Sequence, residues 1–417
     1  MATLKPTLLV INVHFAPNSF GGATVVAENM AVALAESHGW RVVVITTHQN
    51  ALARPYSLVR YTVGDIDVFS VVVPDEGALV YEQRYANEQV AQEVARIVGL
   101  LDIDVAHLHS IQSMGIGIIE ILKDRNIPVA TTVHDCWWIC ERMFMINAKG
   151  KYCHQERIDM NVCRYCVTDF NKALSRKDRL FEALNQSDRL LFPSQFHRDL
   201  YVHNDFPRSK CLVNKNGVLL PGAGSPDSQH ADGPVSEGKF IRFGFVGGPG
   251  DIKGAPLIKR AFTDLSQANY QLLIVDGAQN RGLTWAKSFS WNIPGEIVIV
   301  PPYNRESMDD FFASIDVLLF PSQWKESFGL TVREAIARGV WVIATEAGGV
   351  IEDCEEGVNA NIIPMDGDHR ALSAALRNIL DAGKAPVVQK RTVVSVAQQA
   401  VELNQILSDL LPGQRSC

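Results

Sequence analysis

At 417 residues the chain exceeds one ordinary compact core, so two domains are expected. Apolar residues make up 47% and charged residues 20%, which excludes a disordered chain, and a net charge of −7 gives no electrostatic basis for a nucleic-acid partner. No apolar run reaches the ~20 residues that span a bilayer. The first residues, MATLKPTLLVINVHF, lack a basic leader and a small-residue cleavage pattern, so a cytoplasmic protein with reduced thiols is expected.

Short β-type runs alternate with helical segments throughout, the pattern of doubly wound α/β domains. TLLVINVHF (7–15) leads through APNSFGG into a helix from about Ala23, with Val26, Met30, Ala33 and Leu34 on its buried face. Further strands are expected at 41–47, 66–73, 104–110, 128–135 and 189–194. After CLVNKNGV (211–218) comes a stretch rich in Gly, Pro and Ser that reads as a linker. The pattern restarts with FIRFGFVGG (240–248), a helix around APLIKRAFTDL, and strands YQLLIVDG, EIVIVPP, DVLLFPS and VWVIATEAGG. The expected division is a first domain over 1–220, a linker over 221–238 and a second domain over 239–385. Helices at 386–417 are expected to cross back to the first domain. The nonamer DRLLFPSQF (188–196) recurs as DVLLFPSQW (316–324), which places a late buried strand, ended by proline and followed by a helix start, in each domain.

Only the second copy continues into KESFGLTVREAIARGVWVIATEAGGVIE. A helix starting near Phe328 puts Glu326 in the loop at its amino end and Glu334 about two turns along. The free amides at Gly329 and Leu330, with the helix dipole, favour an anion there. Glu326 beside a bound phosphate is suited to accept sugar hydroxyls, Glu334 to accept ribose hydroxyls, and Gly348-Gly349 permits close backbone approach.

This segment resembles the signature of the retaining GT-B glycosyltransferases of family 4. The matching residues are Pro321-Ser322, Glu326, Phe328-Gly329, Glu334-Ala335, Ala337, Gly339, Gly348-Gly349 and Glu352. The resemblance implies two Rossmann-like doubly wound domains facing across a cleft, and sugar transfer from a nucleotide-diphosphate sugar to a hydroxyl acceptor. It implies retained configuration and no catalytic metal. PNSFGGATVVAE resembles the amino-terminal glycine loop, where Gly21 and Gly22 let the backbone reach the donor diphosphate. NGV at 216–218 resembles the step into the interdomain hinge. FVGGPGDIKG resembles the diphosphate loop, with Gly247 and Lys253 matching and Gly248 standing where the family has arginine. Arg242, Arg281 and Arg305 are candidate substitutes for that missing cation. Ser327, Phe328, Gly329 and Leu330 join Glu326 and Glu334 as donor-binding positions, and Glu326 and Lys253 are the catalytic candidates of this domain.

On a strand His107 and His109 share one face, so at most one need reach a ligand. By resemblance a histidine at a strand end of the first domain lies near the transferred sugar; His109 and the His134–Asp135 pair are the candidates, His109 slightly favoured. Asp135 either orients His134 or, with Arg142, contacts the acceptor, a glycan or lipid-linked sugar. At about 136–170 lies a cysteine-rich insertion, with Cys140-x12-Cys153-x9-Cys163-x2-Cys166 offering four soft ligands for a structural Zn²⁺. Cys136 and His154 are substitute ligands; unligated thiols and disulfides are the alternatives. Basic residues crowd 142–179 among Trp137, Trp138, Phe144 and Met145. They form either a solvated face or a contact for an anionic acceptor or the inner face of a membrane. Two rival functions are an epimerase of nucleotide sugars on the same architecture and a non-catalytic binder of such compounds.

Overall fold

The computed structural model describes residues 5–222 and 240–411, so the expected linker lies outside the described residues except for Pro221 and Gly222. The chain forms two compact units. Among the described residues the first contains 5–145, 154–217 and 394–411; the second contains 146–153, 218–222 and 240–393.

The first unit holds an eight-stranded sheet in the order β3-β4-β2-β1-β5-β6-β7-β8. Its strands are β1 (Thr7–Ile11), β2 (Arg41–His48), β3 (Leu58–Val63), β4 (Ile66–Val72), β5 (Val105–Leu108), β6 (Val129–Thr132), β7 (Arg189–Phe192) and β8 (Cys211–Val213). All neighbours pair parallel except β3, which runs antiparallel to β4 at the edge. Leu8 to Ile11 are at most 1% exposed, as expected of a central strand covered on both faces. The helix Gly21–Ser37 packs against the carboxyl-terminal helix Val396–Ser408, whose start is fixed by a capping box between Ser395 and Gln398. Trp40 Nε1 donates to Asn404 Oδ1 at 2.8 Å, and Gly217 N donates to Gln399 Oε1 at 2.7 Å. Gly217 has to be glycine, because a Cβ there would lie 2.4 Å from the Ser395 carbonyl oxygen.

The second unit holds a six-stranded parallel sheet in the order β11-β10-β9-β12-β13-β14. Its strands are β9 (Ile241–Val246), β10 (Tyr270–Val275), β11 (Glu296–Val300), β12 (Val317–Phe320), β13 (Trp341–Thr345) and β14 (Ala360–Ile363). Side chains alternate between two cores. Phe243, Leu272, Ile274, Val317 and Leu319 face the helices Ala255–Thr263 and Arg370–Ala382. Leu273, Val275, Leu318, Phe320 and Val342 face the helices Met308–Ala313 and Leu330–Ala337. Strand order reverses between β9 and β12 in this sheet, and between β1 and β5 in the other. Crevices at such points, outside the carboxyl ends of the strands, are where open α/β sheets take ligands.

Candidate functional site

In the second unit the loops leaving β9 and β12 meet. Lys253 closes a short turn, Asp251–Lys253, just before the helix Ala255–Thr263. Gly254 follows at φ +80°, and a Cβ on it would lie 2.2 Å from the Pro321 carbonyl oxygen, so only glycine lets the two loops touch. Ser322 Oγ and Gln323 N both donate to Ile252 O, at 3.1 and 2.8 Å. This seam brings Lys253 Nζ to 2.7 Å from Glu326 Oε1, which also accepts from Ser322 Oγ at 2.8 Å. Lys253 stands 5.5 Å over the Trp324 ring. Glu326 is 8% exposed, and its main chain is pinned on both sides: its N–H donates to Ala347 O at 3.2 Å and its carbonyl accepts from Gly349 N at 2.9 Å.

The helix begins at Leu330, two residues later than the sequence suggests, because Gly329 at φ +88° serves as its amino cap without a side-chain acceptor. Ser327 is half-buried in the loop. Phe328 is buried with its ring 4.0 Å beneath the Arg333 guanidinium, so its backbone and not its ring is what it offers a ligand. Glu334 lies further along the helix, 8% exposed, accepting from Tyr303 Oη at 3.1 Å. Burial raises the carboxyl pKa of Glu334, opposed by the Tyr303 hydrogen bond and the Arg338 charge. Tyr303 itself stacks on Phe311 at 4.7 Å.

The diphosphate-loop glycines differ. A Cβ on Gly247 would strike the Phe245 ring at 2.7 Å, whereas one on Gly248 would meet nothing within 4 Å. Arg242 does not replace the missing cation. It sits near the amino end of β9, at the opposite end of that strand from Gly248, and is tied to Asp316 at 2.8 Å.

In the first unit Gly21, at φ +81°, and Gly22 open the helix Gly21–Ser37, and no side chain caps it. At the carboxyl ends of β5 and β6 the histidines form a chain. His109 Nδ1 lies 2.9 Å from His134 Nε2 with the rings stacked, and the His107 ring is 4.1 Å from that of His109. His107 Nε2 bonds Thr132 Oγ1 at 2.7 Å. Burial pushes the pKa of His107 and of His134 down to about 3, and His109 well below its ordinary value, so all three are neutral at pH 7. His109 and His107 are each 1% exposed, and the buried nitrogens His109 Nε2 and His107 Nδ1 have no protein partner.

Asp135 does not orient His134. Its carboxylate accepts from Trp137 N at 2.8 Å and Gln112 Nε2 at 3.2 Å, and burial raises its pKa to about 6. The partner of His134 is His109. Arg142 is exposed and donates to Cys166 O at 3.4 Å.

The cysteines do not form the expected zinc site: among the described residues no three His, Cys, Asp or Glu side chains are gathered to hold a metal ion. Ile146 and Tyr152 form a local antiparallel bridge, and Cys153 groups with the second unit whereas Cys140, Cys163 and Cys166 group with the first. Cys163 ends the short helix Met160–Cys163, its Sγ accepting from Gln155 Nε2 at 3.6 Å. None of the seven described cysteines is disulfide-bonded.

Three participants were not singled out as site residues from sequence: Ser322, Tyr303 and Arg333. Ser322 stood in the quoted Pro-Ser pair; Tyr303 carries no local signal. Nor does Arg333, whose burial beside Val332 and Glu334 shows only in the fold.

Comparison with known proteins accounts for both halves. Residues 20–220 match the profile of Glycosyltransferase Family 4, and residues 229–392 match that of Glycosyl transferases group 1. Among curated relatives, D-inositol 3-phosphate glycosyltransferase of Mycolicibacterium smegmatis is 28% identical over 192 residues, 44% of this chain and 43% of that one. Glycogen synthase of Halorhodospira halophila is 26% identical over 198 residues, 48% of this chain and 39% of that one. The chain thus spans less than half the length of the curated relatives it matches. Solved structures match nearly end to end. Anabaena HepE in complex with UDP and glucose gives a TM-score of 0.65 at 16% identity, covering 96% of this chain and 99% of that one. Sucrose-phosphate synthase of Thermosynechococcus elongatus gives 0.62 at 16%, covering 97% and 95%. The fold is the two-domain α/β architecture of the GT-B glycosyltransferases.

Proposed function

We propose, for a chain made of a family 4 glycosyltransferase domain followed by a group 1 glycosyltransferase domain, that it moves a sugar from a nucleoside diphosphate sugar to a hydroxyl acceptor with retention of configuration. The observation that carries this reading is the Lys253–Glu326 pair, 2.7 Å apart, beside a helix whose amino end has no side-chain cap. A cation and free amides suit a diphosphate, and a carboxylate at their edge suits the hydroxyls of the attached sugar.

In this reading Glu334 and Tyr303 receive the ribose. Lys253 and the amides at Gly329 and Leu330 stabilise the negative charge that grows on the departing diphosphate. Glu326 holds the sugar, and the leaving phosphate takes the acceptor proton. The neutral His109–His134 pair belongs to the acceptor side, near the transferred sugar; Asp135 and Arg142 belong to the same side. A glycan or lipid-linked sugar is the acceptor class. No helix among the described residues is long and apolar enough to cross a membrane.

Titrating the full chain with UDP, GDP and ADP and their glucose and mannose conjugates tests the reading. At least one compound is expected to raise the melting temperature by several degrees and to release nucleoside diphosphate slowly without acceptor. Indifference to the whole panel would defeat it, and a new sugar appearing in donor-only reactions would favour an epimerase.

A further inference from the structure

Arg333 has a side chain only 1% exposed, and its donors reach two separate segments. Before its own helix, Nη1 donates to Phe328 O and to Gly329 O, the latter at 3.4 Å. In the turn after β13, Nη2 donates to Gly349 O at 2.7 Å. At the end of that turn, Nε donates to Asp353 Oδ2 at 2.8 Å. The same turn holds both backbone bonds of Glu326, to Ala347 O and from Gly349 N. A buried guanidinium is strongly unfavourable unless its charge and donors are all met, and an aliphatic side chain would fill the position without that penalty. The planar fork reaches carbonyls on different segments at once, which a lysine ammonium does not.

We propose that Arg333 is a positioning residue: it locks the Ser327–Gly329 loop to the Gly348–Gly349 turn, so that the Glu326 carboxylate keeps one place relative to the donor sugar. The proposal rests on the functional reading above. Its test uses Arg333→Lys and Asp353→Asn in the full chain. Hydrogen–deuterium exchange of the unliganded protein is expected to quicken at least about tenfold at residues 326–330 and at Gly349, with β9, β10 and β12 unchanged. In reactions with UDP-, GDP- or ADP-glucose, Arg333→Lys is expected to lower kcat about 10²-fold, the cost of a misplaced reacting group. The Kd of the corresponding free nucleoside diphosphate changes less than about threefold. Asp353→Asn, whose carboxylate is partly exposed, gives the same split at about tenfold. Added guanidinium restores part of kcat to Arg333→Ala.

Unchanged exchange overturns the proposal. So does a loss of nucleotide binding in step with a general loss of protection, which marks a packing role alone. If Arg333→Lys does not fold, Asp353→Asn decides. If the wild type binds none of the three nucleotides, the functional reading fails while the exchange measurement still judges the clamp.

Discussion

The same nine-residue phrase is used in both units, and its two copies keep one role and part over another. Asp188 and Asp316 precede β7 and β12. Each accepts the amide of a neighbouring strand at 2.8 Å, Val129 N and Arg242 N respectively, and each pairs with a cation, Lys123 or Arg242. The serines differ. Ser194 caps the helix Gln195–His203 at once, accepting from His197 N at 3.1 Å. Ser322 caps nothing; the helix waits until Leu330, and the hydroxyl turns to Glu326. The aspartate is architecture, and the inserted loop converts a cap into part of a site. Electrostatics diverge as well: the first unit buries neutral histidines, whereas the only described histidine of the second is His369, paired with Asp264 near the surface.

Acidification is the strongest way to test that contrast. His107 and His134, at about 3, His197, at about 4, and His109, well below normal, all titrate lower in the fold than in the unfolded chain. As pH falls below ~6.5 the unfolded state takes up protons first, so stability drops by up to ~1.4 kcal/mol per pH unit for each histidine. Asp135 opposes this: its pKa of about 6 is raised, so its contribution is lost as pH rises and recovered as pH falls. The net expectation is that amides of the first sheet lose exchange protection between pH 6.5 and 5 before those of the second; equal losses would break the comparison.

Next in size, Glu326→Ala is expected to lower transfer by about 10²–10³-fold without changing the first unit, and unchanged transfer would remove Glu326 from the site. Gly248→Arg places a side chain in open space and should tighten nucleoside diphosphate binding about tenfold, measured by calorimetry. The smallest effects sharpen the serine contrast. Ser194→Ala should cost ~1 kcal/mol of stability with normal turnover, and Ser322→Ala should reverse that order; identical phenotypes would mean that the two serines never diverged.

Legibility in the sequence followed how local each cause is. Buried parallel strands such as VVVIT and VLLF read directly, because both faces are apolar. Three strands did not: β3 is an edge strand with Val59 and Arg60 exposed, β8 has only three residues and β14 only four. The glutamates were visible through their spacing, but the helix start shifted because Gly329 adopts a left-handed conformation that spacing does not encode. Cysteine spacing suggested a ligand set, yet Cys153 groups with one unit and Cys140, Cys163 and Cys166 with the other, a division that spacing does not encode. Tyr303 and Arg333 act across β11–α and β13 connections, and contacts between distant segments leave no trace in a local pattern.

The carboxyl-terminal helix has a consequence for synthesis. Because Val396–Ser408 packs on the helix Gly21–Ser37, the helical layer of the first unit stays unfinished until residues 396–408 have been made, after the whole of 218–393. The later-starting unit has by then emerged whole. A chain stalled near residue 393 would leave Ala400, Leu403 and Leu407 missing from an apolar seam. Such nascent chains are expected to recruit chaperones through the half they translated first.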